Sequence, residues 1–557
     1  MSMNRTALVV GLVLLALPFA SPADEVVRTT ANNGNLVMED VPEIPASLVE
    51  TLNRYQNVRS AGLTGWTEDG NGIYVSTRFG DLNQLHRVDM PGGARHQLTF
   101  YNEPVYGATR RPGGSQLIFT RDAGGNEFAQ LFAFDPATGD ARMLSDGESR
   151  NGAVVWARQG RRIAYQSTLR NGASNDVWTM DPDDPESAEI VLESPDGSWW
   201  GPSEFSARGT QLLVTNYVSI TDARAHVVDL DSGDVTLLAG GPDAPGYNVP
   251  VAFDDADDGF WLLTDQGSEF TQLAWQPLEA GADPVIVTTD IPWNVSAVAM
   301  SDDRRRMAFT VNEGGTTALY LMDPRTREYR RVEGLPVGVA GSLQFSPDGS
   351  KLGLTLNTPQ TPSDTFSLEL GKRPLDYGKL TRWTYSEVGG LDTTTFVTPR
   401  LVRFPTFDEV DGKPREIPAW VYTPPGEGPF PVVVSIHGGP ESQARPYFSS
   451  TYQLWLRELG VAVVVPNVRG SAGYGKTYVA LDNGFKREDS VRDIGALLDW
   501  IGTQPELDAE RVAVFGGSYG GYMVLASAVH YSDRLAAAVD IVGISSFVTF
   551  LENTQDY

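Results

Sequence analysis

Along most of the chain, apolar and polar residues alternate in short runs that break at turns. Ala318-Leu319-Tyr320-Leu321-Met322-Asp323-Pro324 is one such run, an alternating strand that ends in an Asp turn. Phe345-Ser346-Pro347-Asp348-Gly349-Ser350-Lys351-Leu352 is the reverse, a tight turn leading into a strand. Aligning that turn along the chain gives Gly70, Gly114, Gly160, Gly209, Gly259, Arg304 and Gly349, at spacings of 44, 46, 49, 50, 45 and 45 residues. The strand piece recurs at 84–89, 130–135 and 176–181. A period in the forties with strand–turn–strand content predicts four-stranded blades, so 61–386 is expected to be an all-β, seven-bladed β-propeller. Glycine suits the turn because it accepts positive φ without a Cβ clash. Arg304 breaks that rule, and its blade is expected to turn differently.

Outside 61–386 the pattern changes. Before it, Leu48, Val49, Leu52 and Tyr55 are spaced as on a helix, so 24–60 reads as an extension with one short helix. After about Val388, Ile417–Tyr422, Pro431–Ile436 and Val461–Val465 are apolar strand runs. Val491, Ile494, Leu497 and Leu498 mark a helix, and Arg511–Phe515 another buried strand. Strands alternating with helices predict a parallel sheet over 387–557, an α/β-hydrolase domain.

The first 23 residues read as a secretory signal: Arg5, an apolar run Ala7–Leu17, and Ser21-Pro22-Ala23 as the cleavage site. A periplasmic or secreted protein is expected, with no stable membrane span after cleavage, because the apolar run is short and no later segment replaces it. A net charge of −28 argues against nucleic acid, whose phosphates need clustered Lys and Arg. With no cysteine, disulfides, thiol catalysis and thiolate metal sites are excluded. Asp254-Asp255-Ala256-Asp257-Asp258-Gly259 resembles the start of a calcium loop, but Ala256 and Asp265 occupy positions three and twelve, so it reads as a blade turn. No metal or organic cofactor is implied.

The chemistry is concentrated near the end. Gly516-Gly517-Ser518-Tyr519-Gly520-Gly521 follows the strand Arg511–Phe515 and precedes a helix-forming stretch, the setting of a nucleophile elbow. Ser518 is the expected nucleophile, and Gly516 and Gly520 leave space where strand and helix crowd together. His437-Gly438-Gly439-Pro440 follows the strand Pro431–Ile436, where this fold places an oxyanion loop. The N–H groups of Gly439 and Tyr519 are the candidate oxyanion donors, and His437 reads as a residue that orients the loop.

The elbow, the His-Gly-Gly-Pro loop, Asn467-Val468-Arg469-Gly470-Ser471-Ala472-Gly473-Tyr474-Gly475 and the propeller together resemble the prolyl oligopeptidase family of serine peptidases, in its acylaminoacyl-peptidase and dipeptidyl-peptidase-like branch. The resemblance implies hydrolysis of short peptides through an acyl-enzyme, with the propeller limiting substrate size. It also implies a tyrosine hydroxyl, here Tyr474, as a possible third oxyanion donor. The family's catalytic Asp and His come after the nucleophile, yet only 39 residues follow Ser518. His530 lies about 18 Å along the nucleophile helix at helical rise, and Asp540 comes earlier than the family's acid. The triad Asp and His are therefore expected to be absent and the chain inactive as given. Its apolar stretch Ala536–Ile544 is expected to be an unprotected sheet edge, which would leave the hydrolase part unstable. Two other readings stay open: a propeller-capped esterase, and a binding protein whose propeller is the functional part.

Overall fold

The computed structural model describes residues 26–554. The expected signal segment, 1–23, lies outside them. Described residues 26–53 make a compact unit of their own, with a hairpin pairing Arg28–Ala31 with Leu36–Glu39, after which a helix runs over Ala46–Gln56.

Seven four-stranded antiparallel sheets follow, from the strand Gly62–Trp66 to the strand Tyr377–Arg382. Each sheet is built from four consecutive strands, so no blade borrows a strand from another part of the chain. The cores lie between blades, where Trp261, Met307, Phe309 and Val311 pack together with almost no exposure. The ring closes without a shared strand. Leu63 N–H donates to Thr355 Oγ1 (2.9 Å) and Trp66 Nε1 donates to the Gln344 carbonyl (3.0 Å), joining the first blade to the last. Beside that seam, Val58–Arg59 pairs with Glu387–Val388, so the chain enters and leaves the ring as one short ladder.

The repeated turn has one backbone form. Gly70, Gly160, Gly209 and Gly349 take φ of 65, 67, 72 and 66°. In the second and fifth blades the left-handed position is Gly113 and Asp257, one residue before Gly114 and two before Gly259 of the sequence repeat. Arg304 corrects the expectation that its blade turns differently. It adopts φ 57°, and its N–H donates to the Ser301 carbonyl (2.9 Å) just as Gly349 donates to Ser346 (2.8 Å). Left-handed backbone is unfavourable for an L side chain by about 1–2 kcal/mol, and here the guanidinium offsets it. Arg304 is buried, ion-paired with Glu204, and donates to the Phe253 carbonyl (3.3 Å). In the neighbouring acidic turn, Asp254 accepts from Trp275 Nε1 (3.0 Å), Asp257 from Ala207 N–H (2.8 Å), and Asp255 pairs with Arg325 (3.0 Å). Those carboxylates hold blade turns together.

The second domain is a six-stranded sheet: β1 (Arg400–Val410), β2 (Lys413–Tyr422), β3 (Phe430–Ile436), β4 (Ala462–Pro466), β5 (Leu507–Gly517) and β6 (Ala537–Ile541), in the order β1-β2-β4-β3-β5-β6. β1 and β2 run antiparallel; β4, β3, β5 and β6 are parallel neighbours. The buried run Ala462–Pro466 and the pairs Val432/Val512 and Val434/Val514 fill the sheet. Helix α1 (Ser450–Glu458) packs on one side, and α3 (Asp489–Ile501) buries Ile494, Leu497 and Leu498. The short helix α2 (Lys476–Val479) sits between them in the chain. Helix α4 (Tyr519–His530) leaves β5 at the elbow, and α5 (Phe547–Glu552) follows β6. β6 is the outer strand among the described residues, with Val539 and Ile541 exposed.

Candidate active site

Register brings the two key loops together. In the β3–β5 ladder Ile436 stands opposite Gly516, so the chain leaves both strands at the same carboxyl edge, where open α/β sheets carry their sites. Ser518 follows at φ 56°, ψ −122°, a strained backbone that lifts its side chain out of the sheet. The elbow is anchored from Ser518 N–H to the Ile541 carbonyl (3.0 Å) and from Tyr522 N–H to the Ser518 carbonyl (3.1 Å). Glycine is compulsory around it. A Cβ on Gly516 would lie 2.4 Å from the Gly520 carbonyl oxygen, and one on Gly520 would lie 2.2 Å from that of Ile436.

The His437 loop lies against the nucleophile. A Cβ on Gly438 would stand 3.4 Å from Ser518 Cβ, which makes Gly438 the residue facing the serine. Gly439, at φ 125°, packs on the backbone of Glu441 and Ser442. Among the described residues the N–H groups of Gly439 and Tyr519 have no acceptor. Unspent amide donors beside a serine are what an oxyanion hole requires.

His437 is committed elsewhere. Its Nδ1 lies 2.8 Å from the Gly438 carbonyl and its Nε2 2.9 Å from Ser471 Oγ. Burial holds its pKa below the usual imidazole range. The Ser471 hydroxyl donates to the Val468 carbonyl (2.6 Å), so a neutral ring donates through one nitrogen only, either Nδ1–H to the Gly438 carbonyl or Nε2–H to Ser471 Oγ. The imidazole thereby pins its own loop to the 467–475 loop.

Tyr474 sits on that loop. Its hydroxyl accepts from Asn467 Nδ2 (3.1 Å), and its ring meets Trp293 of the propeller edge-on with centroids 6.5 Å apart. Burial pushes its phenol up, so it stays a neutral donor. The Tyr519 side chain points the other way, beneath the elbow, where its hydroxyl bonds Ser490 (2.9 Å) and Asp482 (3.1 Å). Asp482 also pairs with Arg487 (2.7 Å), and burial raises its pKa.

The remaining sequence candidates are not brought to the nucleophile. His530 is exposed at the far end of α4, its ring against Tyr531. Asp540 pairs opposite Gly516 on β6, and a Cβ on Gly521 would fall 2.3 Å from its carboxylate, so it buttresses the start of α4. Ser518 Oγ has no hydrogen-bond partner among the described residues. Sequence reasoning missed Gly438, Asp482, Gln443 and Glu269. Gly438 had a local signal in the His-Gly-Gly-Pro loop, and Gln443 and Glu269 had only the indirect one of the glycines flanking Tyr474.

Residues 446–557 match the profile of the prolyl oligopeptidase family, Peptidase_S9. Dipeptidyl aminopeptidase BIII of Pseudoxanthomonas mexicana is 24% identical over 512 residues, which cover 87% of this chain and 63% of that protein. Dipeptidyl-peptidase 5 of Porphyromonas gingivalis is 23% identical over 510 residues, covering 88% and 71%. The chain thus spans under two thirds of the length of the first of these relatives. A solved prolyl endopeptidase superposes with a TM-score of 0.76 at 16% identity, over 90% of this chain and 75% of that one. A puromycin-hydrolyzing peptidase of Mycobacterium tuberculosis gives 0.73 at 17%, over 91% and 80%. At those identities the structural likeness speaks for the fold.

Proposed function

The chain carries a prolyl oligopeptidase family domain behind a seven-bladed propeller, and from that premise we propose that it is a serine peptidase acting on short peptides. Ser518 is the nucleophile, the Gly439 and Tyr519 N–H groups and the Tyr474 hydroxyl receive the developing oxyanion, and the propeller restricts the size of what reaches them. The observation that carries this reading is Ser518, held at φ 56° against Gly438 with two acceptor-free amides beside it. The relatives named as dipeptidyl peptidases point the same way.

Acyl transfer needs more than an oxyanion hole. The serine must lose its proton to a base as it attacks, and the same base must return a proton to the leaving amine. No described residue takes that role, so we expect the 557 residues alone to hydrolyse peptides immeasurably slowly. The amino-terminal segment supports export to the periplasm or medium.

A dipeptide boronic acid tests this without requiring turnover, because boron adds directly to the serine oxygen, the hydroxyl proton passing to buffer, and its tetrahedral adduct occupies the oxyanion position. Titration calorimetry should show binding that Ser518→Ala weakens at least about tenfold, the loss of one covalent contact. Binding that Ser518→Ala leaves unchanged would sink the proposal. So would robust naphthylamide hydrolysis that survives Ser518→Ala.

A further inference from the structure

The Tyr474 loop belongs to the hydrolase domain, but much of what holds it belongs to the propeller. Tyr474 stands between two glycines, both at positive φ, 89° for Gly473 and 98° for Gly475. Each is closed off by a side chain anchored in the ring. A Cβ on Gly475 would meet Glu269 Oε1 at 2.4 Å, and one on Gly473 would meet Gln443 Nε2 at 2.5 Å. Gln443 Oε1 in turn accepts from Asn312 Nδ2 of the sixth blade (2.7 Å).

Glu269 lies on the turn between the fifth-blade strands Gly259–Thr264 and Gln272–Pro277. Both its carboxylate oxygens are engaged. Oε1 accepts from Thr477 N–H (2.7 Å) and Oε2 from Thr477 Oγ1 (2.8 Å). Its own carbonyl accepts from Lys476 N–H (3.0 Å), and Lys476 Nζ reaches the Asp265 carbonyl (2.8 Å). Four hydrogen bonds therefore run from one blade turn to the two residues after Gly475. Two of them end on a carboxylate, the stronger kind.

We propose that Glu269, from the propeller, is a positioning residue for Tyr474. It fixes the backbone just after Gly475 and so sets the direction of the hydroxyl that the proposed function assigns to the oxyanion hole. Glycines on both sides would otherwise leave Tyr474 free to swing. The ring thus does more than cover the site, since one of its turns completes the site's geometry. This inference rests on the proposed role of Tyr474, and the two can fail separately.

The experiment combines hydrogen exchange with boronate binding on the full chain. In Glu269→Ala, amides of 470–479 should exchange about tenfold faster or more, since charged hydrogen bonds hold them, while blade strands keep their protection. Boronate affinity should fall to the level of Tyr474→Phe. Glu269→Gln keeps the acceptor for Thr477 N–H and should recover most of both effects. Unchanged exchange in Glu269→Ala overturns the proposal. Faster exchange with wild-type boronate affinity overturns it too, because the clamp would then be structural alone. If Ser518→Ala also failed to weaken the boronate, the proposed function itself would fall, whatever Glu269 did.

Discussion

Arg304 in the propeller and Ser518 in the hydrolase domain share nearly the same backbone angle, φ of 57° and 56°. Both are L residues where glycine would be easier. Arg304 sits in a turn that glycine serves in most of the other blades, and its buried guanidinium supplies the compensation. Ser518 sits where glycines on either side have removed every competing side chain, so the strain is carried by the surroundings. In the repeat, the backbone form is kept and the residue is free to vary. At the elbow, the neighbours are constrained to glycine so that a serine can hold the angle. A strained angle alone does not mark function; what distinguishes the two is whether the side chain itself is used up in holding the angle.

That difference can be broken most severely at the elbow. Gly520→Ala drives a methyl against the Ile436 carbonyl, a backbone atom that cannot rotate away. We expect a loss of at least about 3 kcal/mol in the hydrolase domain, seen as a lowered melting transition, with boronate binding abolished. Gly439→Pro removes an N–H but also demands a φ near −65°, far from the 125° found, so it destroys the loop along with the donor.

A second contrast concerns buried histidines, His226 in the fourth blade and His437 in the site. Burial holds both below the usual imidazole value, His226 at about 4. The unfolded chain takes up a proton near the ordinary value of 6.5, whereas folded His226 takes one only near 4. Stability is therefore full above pH 6.5 and falls between 6.5 and about 4, by up to about 3 kcal/mol from this one group. Buried His86 and His437 contribute in the same direction. Denaturant midpoints measured across that window should show the slope, and His226→Gln should reduce it.

The compensation at Arg304 is the next test. Arg304→Ala keeps the left-handed strain and takes one partner from Glu204, which retains Arg158 (3.8 Å) and the Phe253 N–H (2.7 Å), so a cost of about 1–3 kcal/mol is expected. Arg304→Gly loses the same ion pair but relieves the backbone, and should be about 1 kcal/mol less damaging. Equal thermal shifts for the two would mean the turn is unstrained. The smallest effect belongs to Arg325, whose pairing with Asp255 is more than half exposed on both sides. Arg325→Ala should change the melting temperature within error, since exposed pairs contribute about 0–1 kcal/mol.

Most of the architecture was legible because it is periodic or local. Seven copies of one turn announced the ring, and the continuous apolar run at Val461–Val465 announced a buried parallel strand. The elbow was legible because its chemistry forces a contiguous pattern of glycines around one serine. Arg304 misled because the alignment shows which residue is unusual but not the ion pair, a hundred positions back at Glu204, that lets it conform. Glu269 and Gln443 were invisible for the same reason. Glu269 meets Thr477 across 208 positions and Asn312 meets Gln443 across 131, and neither contact leaves a local motif. The glycines flanking Tyr474 were the one available hint, since each leaves room for something that must come from elsewhere.

The short ladder between Val58–Arg59 and Glu387–Val388 has a consequence for how the ring could be rebuilt. Paired residues in such a ladder lie about 5 Å apart, so the first and last residues of the ring are already neighbours. Because every blade is made of consecutive strands, a chain joined at that seam and opened at the loop between any two other blades would retain all twenty-eight strand positions and every pairing. Circular permutation of the excised ring is thus open to it in principle, and the numbering of its blades is a property of where the hydrolase domain happens to be attached.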